Sequence, residues 1–177
     1  MRKLLGPVFI GLVCSANLFA QFGPTGTTTL QVVVATEAAI QVDTATTNLI
    51  SAGSFADFTG STDYTYKIRT TQVGGTGAIT VQITADFGPA GGPSVAAPPS
   101  PGDSLDYSCT AVAPASGCAG SLAASTVSAT SVATFGADAR SDLAGTAGNS
   151  VDWTLTNDPQ YATGTYNATA TFTISAT

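Results

Sequence analysis

Ile79-Thr80-Val81-Gln82-Ile83-Thr84-Ala85-Asp86-Phe87 is the stretch that decides the fold class. Apolar side chains hold the odd positions and polar ones the even positions, a period of two. Successive strand residues point to opposite faces of a sheet, so one face of this segment belongs to a core and the other to water. Its β-branched residues suit a pleated, half-buried surface. The same alternation recurs in both directions along the chain. It runs through Ala38, Ile40 and Val42, then Tyr64, Tyr66 and Ile68. It returns in Leu105, Tyr107 and Cys109, in Val151, Trp153 and Leu155, and in Tyr166, Ala168, Ala170, Phe172 and Ile174. Weaker strand signals lie around Ala52–Phe58, Ser125–Ala129 and Ser131–Phe135, and helical periodicity hardly appears. The pattern predicts an all-β protein, a single immunoglobulin-like antiparallel β-sandwich of about 7–9 strands. Trp153 shares its parity with Val151 and Leu155, which makes it the core anchor rather than a ligand-stacking platform.

Turn signals separate these segments. Gly74-Gly75-Thr76-Gly77 predicts a hairpin between the Tyr64 and Ile79 strands, and Ala162-Thr163-Gly164 predicts another before the last strand. Residues 87–102 form a long connector holding Pro89, Pro93, Pro98, Pro99 and Pro101, read as a functional loop or a surface excursion. A second polar loop, 136–149, carries Asp138, Arg140 and Asp142.

The first twenty residues read differently. Met1-Arg2-Lys3 is a basic head, Leu4 to Val13 an apolar run, and Cys14-Ser15-Ala16-Asn17-Leu18-Phe19-Ala20 a stretch that includes small residues. This is the layout of a secretory signal peptide, with cuts fitting after Ala16 or after Ala20. The run is shorter than the roughly 20 apolar residues that cross a bilayer. The expected organisation is therefore a signal peptide over 1–20 and a sandwich domain over 21–177. The product would be secreted, periplasmic or displayed on the cell surface, with no membrane insertion after cleavage. Cys14 would leave with the signal, and Cys109 and Cys118 would remain as an even pair. An oxidising compartment makes a disulfide their default state, worth roughly 2.5–3 kcal/mol for so short a loop. A metal pair would need further Cys or His ligands, and the chain has no His at all.

Charge and residue type exclude several functions. Beyond residue 20, three basic side chains (Lys67, Arg69, Arg140) stand against eleven acidic ones, a balance of −8. Nucleic acid and anionic membranes both want clustered Lys and Arg, so neither is an expected partner. Without His there is no His-based triad and no His metal site, and no cofactor or metal is expected. Asp103 with Asp106, and Asp138 with Asp142, are the acid pairs that glycosidase chemistry would draw on, but they read first as solvated loop acids. No calcium-loop spacing is present. Lys67 alternates outward, away from the buried position an isopeptide crosslink needs. Asn167-Ala168-Thr169 matches a glycosylation sequon. The expectation is a protein that is not an enzyme.

The stretch Thr28 to Asp43 is unusually long for one strand. Leu30, Val32, Val34, Ala38, Ile40 and Val42 keep a single parity with no Gly or Pro between them. An unbroken strand of that length would span roughly 50 Å, whereas sandwich strands usually hold five or six residues. Either the strand bends from one sheet to the other, or residues 28–35 protrude and donate Leu30, Val32 and Val34 to the sheet of a neighbouring copy. This segment, running straight into a first domain strand, resembles the N-terminus of chaperone–usher fimbrial subunits. The ending Gly164-Thr165-Tyr166-Asn167-Ala168-Thr169-Ala170-Thr171-Phe172-Thr173-Ile174 is similar to their Gly-x-Tyr final strand. The same ending, with Trp153-Thr154-Leu155, also resembles the WxL cell-surface domains. Both resemblances imply an exported, surface-associated structural or adhesive protein. The first implies a fimbrial or fibre subunit that assembles with copies of itself by strand addition, with an export chaperone as a further partner. The alternative is a secreted carbohydrate-binding sandwich, which would display aromatic rings. Tyr161 is the aromatic placed most clearly in a loop.

Overall fold

The computed structural model describes residues 25–177, and the expected signal peptide over 1–20 lies outside them. The chain divides into two units at Val33/Val34. Of the first unit, residues 25–33 are described; they carry no strand and their side chains are exposed. The second unit, Val34–Thr177, is an antiparallel two-sheet β-sandwich with no helix.

Ten strands build it: β1 Glu37–Val42, β2 Ile50–Ser51, β3 Phe58–Arg69, β4 Gly77–Gly88, β5 Leu105–Thr110, β6 Ser116–Gly117, β7 Leu122–Ala123, β8 Thr130–Phe135, β9 Thr146–Leu155 and β10 Asn167–Ala176. β2, β6 and β7 are two-residue pieces, so seven strands carry the structure. Sheet A runs β1-β3-β9-β5-β7, with β2 beside β1 along β3, and sheet B runs β10-β4-β8-β6. The sandwich architecture is the expected one, with its own strand order. From β3 onward each of the longer strands lies in the opposite sheet from the one before it.

That order corrects both expected hairpins. Gly77 pairs with Phe135 and Ala176 rather than with β3, so Gly74–Gly77 is an arch that carries the chain across the core. The segment 162–164 likewise carries the chain from β9 in sheet A to β10 in sheet B. The physical reason lies in burial. β3 and β4 each bury the central part of one apolar face, Tyr64–Ile68 and Ile79–Ile83, and two such faces satisfy each other best when stacked across a sandwich rather than side by side. Two weaker strand expectations also fail. Residues 52–57 and 125–129 are turns, bends and irregular chain, because little there alternates and Ala56–Asp57 and Val127–Ala129 are exposed. The long run Thr28–Asp43 is not one strand either; pairing begins at Glu37.

The core takes Tyr64, Tyr66 and Ile68 from β3, Ile79, Val81 and Ile83 from β4, Leu105 and Tyr107 from β5, Val132, Ala133 and Phe135 from β8, and Val151, Trp153 and Leu155 from β9. Trp153 is only 5% exposed. Its indole N–H donates to the Thr62 hydroxyl at 2.9 Å, and its ring lies 5.4 Å from that of Tyr107. The Tyr107 hydroxyl donates across the core to the Ser131 carbonyl at 2.9 Å. Buried Asn149 sits at an irregularity in the β3–β9 ladder. Its amide donates to the Tyr64 and Thr146 carbonyls and accepts from the Val112 N–H. Tyr64 differs: its hydroxyl is buried without a hydrogen-bond partner, and burial, then neighbouring Tyr66, pushes its pKa up to about 12.

Trp153→Ala removes a large buried ring and its hydrogen bond, so unfolding in denaturant should show a loss of about 3–5 kcal/mol. A loss below about 1 kcal/mol would put the ring outside the core. Tyr64→Phe should behave in the opposite way. It removes an unpartnered buried hydroxyl, and the same measurement should return unchanged or higher stability, by up to about 1 kcal/mol.

Candidate functional site

Each sheet ends on two edges, and the two sides of the sandwich treat them differently. On one side β5 and β8 are the last long strands. The short β7 and β6 pair with them. Cys109 on β5 is bonded to Cys118, with Cα atoms 5.4 Å apart. The Cys118 N–H in turn donates to Val132 of β8. The disulfide therefore ties sheet A to sheet B along this side. The loop it closes plugs the core: the Tyr66 hydroxyl donates to the Val112 carbonyl at 2.7 Å and accepts from the Ala115 N–H at 3.2 Å.

On the other side β1 and β10 lie beside one another across the two sheets. β1 pairs only with β3, and β10 only with β4. Ten residues of β10 thus present one row of backbone groups without a strand partner. The inward-facing residues here are not sealed. Ala38 and Ile40 on β1, and Ala168, Phe172 and Ile174 on β10, are half-buried, and Val42 and Ala170 are exposed. Their counterparts on β3 and β4, one strand further in, are nearly all fully buried. An open seam therefore runs between the two edge strands, one of them long, alternating and uncharged.

The chain enters the sandwich at one end of this seam. Arg69, the last residue of β3, donates through Nε to the Ala35 carbonyl at 2.7 Å and through Nη2 to the Glu37 carboxylate at 2.8 Å. This fork holds the chain where it enters β1, at Ala35 and Glu37. Beyond it, Leu30 is 92% exposed, Val32 82% and Val34 62%. All three residues singled out for strand pairing thus stand in water on an arm without secondary structure. Leu30 and Val32 belong to the first unit and Val34 to the second.

The opposite end of the sandwich is built from loops. Asp86, at the end of β4, organises the Pro-rich connector. Its carboxylate accepts from the Ser94 hydroxyl at 2.6 Å and from the N–H groups of Val95, Ala96 and Phe87. Burial raises this carboxyl, but the four hydrogen bonds outweigh it and hold the pKa below the usual carboxylate range. The connector is thus an ordered structure folded on one side chain. Sequence reasoning passed Asp86 by, although an Asp immediately before a Gly/Pro-rich run is a common turn organiser. Nearby, the Tyr161 hydroxyl donates to Asp103 at 3.2 Å, and burial, then the charges of Asp103, Asp158 and Asp57, push its pKa upward.

The remaining candidates are scattered. Asp106 accepts from the Ser104 hydroxyl, and Asp138, which lines a cleft beside Arg69, is paired with Arg140 while Asp142 does not line that cleft, so neither expected acid pair converges on one cleft. Among the described residues no group of three or more His, Cys, Asp or Glu side chains is placed to hold a metal. Tyr64, Tyr66, Tyr107 and Trp153 are buried and offer no ring to a sugar. Asn167 of the sequon is exposed at the start of the edge strand. No family model, no curated protein and no solved structure matches the chain.

The lowered pKa of Asp86 makes stability depend on acid. The unfolded carboxyl titrates near 4, so its folded-state contribution is complete above about pH 4 and is lost as pH falls through the lower folded value. Asp86→Asn should cost about 1–3 kcal/mol at neutral pH, since hydrogen bonds to a charged acceptor disappear. Thermal melts followed from neutral pH into acid should converge for the two proteins. A constant gap at all pH values would remove Asp86 from this role.

Proposed function

We propose that the protein is an exported surface subunit with a structural or adhesive role, joined to copies of itself by strand addition. The observation that carries this reading is the coexistence of a donor and an acceptor in one chain. The donor is the arm Thr28–Ala35, uncharged, rich in β-branched residues, with Leu30, Val32 and Val34 on one parity and all exposed. The acceptor is the free edge of β10 beside the half-sealed seam.

The two parts match in size and chemistry. Eight extended residues span roughly 26 Å, which fits along a ten-residue strand. Pairing would satisfy backbone groups on both partners. Each of Leu30, Val32 and Val34 would leave water for the seam, a gain of about 1.5–3 kcal/mol per side chain. The signal-like N-terminus and the Cys109–Cys118 bond fit export to an oxidising compartment.

Deleting residues 21–34 separates donor from acceptor. The shortened chain should stay folded, melt at a lower temperature and sediment as a monomer, while the full chain forms larger species. Adding a synthetic peptide of sequence Thr28–Ala35 should raise the melt of the shortened chain. A full-length protein that stays monomeric at high concentration, or a shortened one that unfolds, would sink the proposal.

A further inference from the structure

The loop 52–57 joins β2 to β3, with Ser51 and Phe58 paired at its base. Phe55 sits in it with a φ of 55°, in the left-handed region. A side chain there crowds the backbone, and only Gly, Asn and Asp visit it routinely. Asp138, with a φ of 58°, is of a type that tolerates it. A bulky aromatic is not, so Phe55 keeps this conformation only because its surroundings over-determine it. Those surroundings are dense. The Ser51 hydroxyl lies 2.8 Å from the Gly53 carbonyl and 2.6 Å from that of Ala56. The Ala56 N–H donates to the Gly53 carbonyl at 3.2 Å. From the chain after β9, the Asn157 side-chain amide donates to the Ala56 carbonyl at 2.9 Å, and the Asn157 backbone N–H donates to the Asp57 carboxylate at 3.3 Å.

The ring gains no burial in return. Phe55 is 67% exposed, while every other aromatic ring among the described residues is buried or half-buried. Glycine at this position would adopt the same backbone at no steric cost. A braced loop that holds an aromatic ring in water against its backbone preference has the form of a binding anchor. Its neighbours indicate the ligand. Asp57 is two residues away, and Asp103 and Asp158 meet it around Tyr161. The Tyr161 hydroxyl donates to Asp103 at 3.2 Å and the Tyr161 N–H to the Asp158 carbonyl at 3.0 Å. After burial, the charges of all three aspartates push the Tyr161 pKa upward. The ion pairs among the described residues lie elsewhere, at Arg69–Glu37 and Arg140–Asp138. Nor are these carboxylates grouped to hold a metal ion. A broad organic cation suits both parts: an aromatic face attracts it, and carboxylates accept its N–H groups. Guanidinium does both, because it stacks on rings and pairs with carboxylates through two parallel hydrogen bonds.

We propose that Phe55 anchors a docking site for an arginine-bearing segment of a partner protein, with Asp57, Asp103 and Asp158 as its acidic rim. The site is built from the loop after β2, the end of the connector before β5 and the chain after β9. It uses neither the arm nor β10, so it goes beyond strand addition and does not depend on it. The rim charges steer encounter and select a basic partner, and the ring fixes where that partner sits.

The test measures binding of a short capped peptide carrying two arginines to the full-length chain, by fluorescence anisotropy at low salt. Binding should saturate, weaken with a lysine counterpart, vanish with a glutamine counterpart and fall as salt screens the rim. Phe55→Ala should weaken it roughly fivefold, Phe55→Trp should keep or tighten it, and Phe55→Leu should bind like the alanine variant, since leucine offers no π-face. Asp57→Asn should weaken it, whereas Asp142→Asn, in the loop after β8, should leave it unchanged. Phe55→Gly should also bind like the alanine variant, yet melt no lower than the parent, because glycine releases the strained backbone. Equal binding in parent and Phe55→Ala, or equal weakening by Asp57→Asn and Asp142→Asn, would reduce the contact to diffuse acidity and overturn the site. Full binding by Phe55→Leu, or binding of the glutamine peptide, would overturn the cation as its ligand. A Phe55→Gly melt well below the parent's overturns the anchor too, since the ring would then be holding the loop rather than being held by it.

Discussion

One row of backbone amides and carbonyls along β10 has no partner strand, and most of what is unusual in the molecule follows from that row. An exposed edge ten residues long is a template for another strand, and proteins that do not want one shorten it, charge it or cover it. The far side of this sandwich does so: β6 and β7 are two residues each, and the disulfide loop folds over the core beside them. The β10 side does none of these. Its sequence, Asn167–Ala176, contains no charge and no proline. Because β1 and β10 stop short of sealing the seam, Phe172, Ile174 and Ile40 stay half-buried where a closed sandwich would bury them.

An open seam would threaten a sandwich whose sheets were held only by their edges. Here the sheets are held through the middle and along the opposite side. Tyr107 reaches from β5 to the Ser131 carbonyl on β8, and Cys109–Cys118 ties the same two strands through the chain after β6. The Tyr66 hydroxyl and the Asn149 amide lock Val112 and Ala115 of the disulfide loop to β3 and β9. The central apolar residues of β3, β4 and β9 are therefore buried without the seam, and one side can stay open while the rest remains packed.

Which residues face inward was legible in the sequence, because parity is a local property. Tyr64, Tyr66, Ile79, Val81, Tyr107, Val151 and Trp153 all lie where alternation puts them. Which strand lies beside which was not legible. Alternation is identical in a hairpin and in an arch, so Gly74–Gly77 looked like a tight turn within one sheet when it spans two. The run through Thr28–Asp43 shows the same limit: its parity is unbroken, but only the part from Glu37 onward finds a partner strand. Asp86 and Asn149 escaped for another reason. Each satisfies backbone groups distant from it in the chain or in an irregular loop, and single-residue identity carries no trace of those partners.

The Arg69 fork gives the unbroken parity a structural meaning. By holding the Ala35 carbonyl and the Glu37 carboxylate, it marks where the sandwich stops and the arm starts. Ala38 and Ile40 stay in their own sheet, while Leu30, Val32 and Val34 stand beyond the fork. Since side-chain direction repeats every two residues, a slip of one residue would turn the whole apolar set of the arm to the other face. The even numbering held from Leu30 to Val42 means that an extended arm carries its apolar side in line with the inward face of β1. Under the proposed strand addition a single register would serve two sheets, the chain's own on one side of Arg69 and a neighbour's on the other. That shared register would be needless in an ordinary first strand, and it is what a segment requires if it is to continue one sandwich into the next.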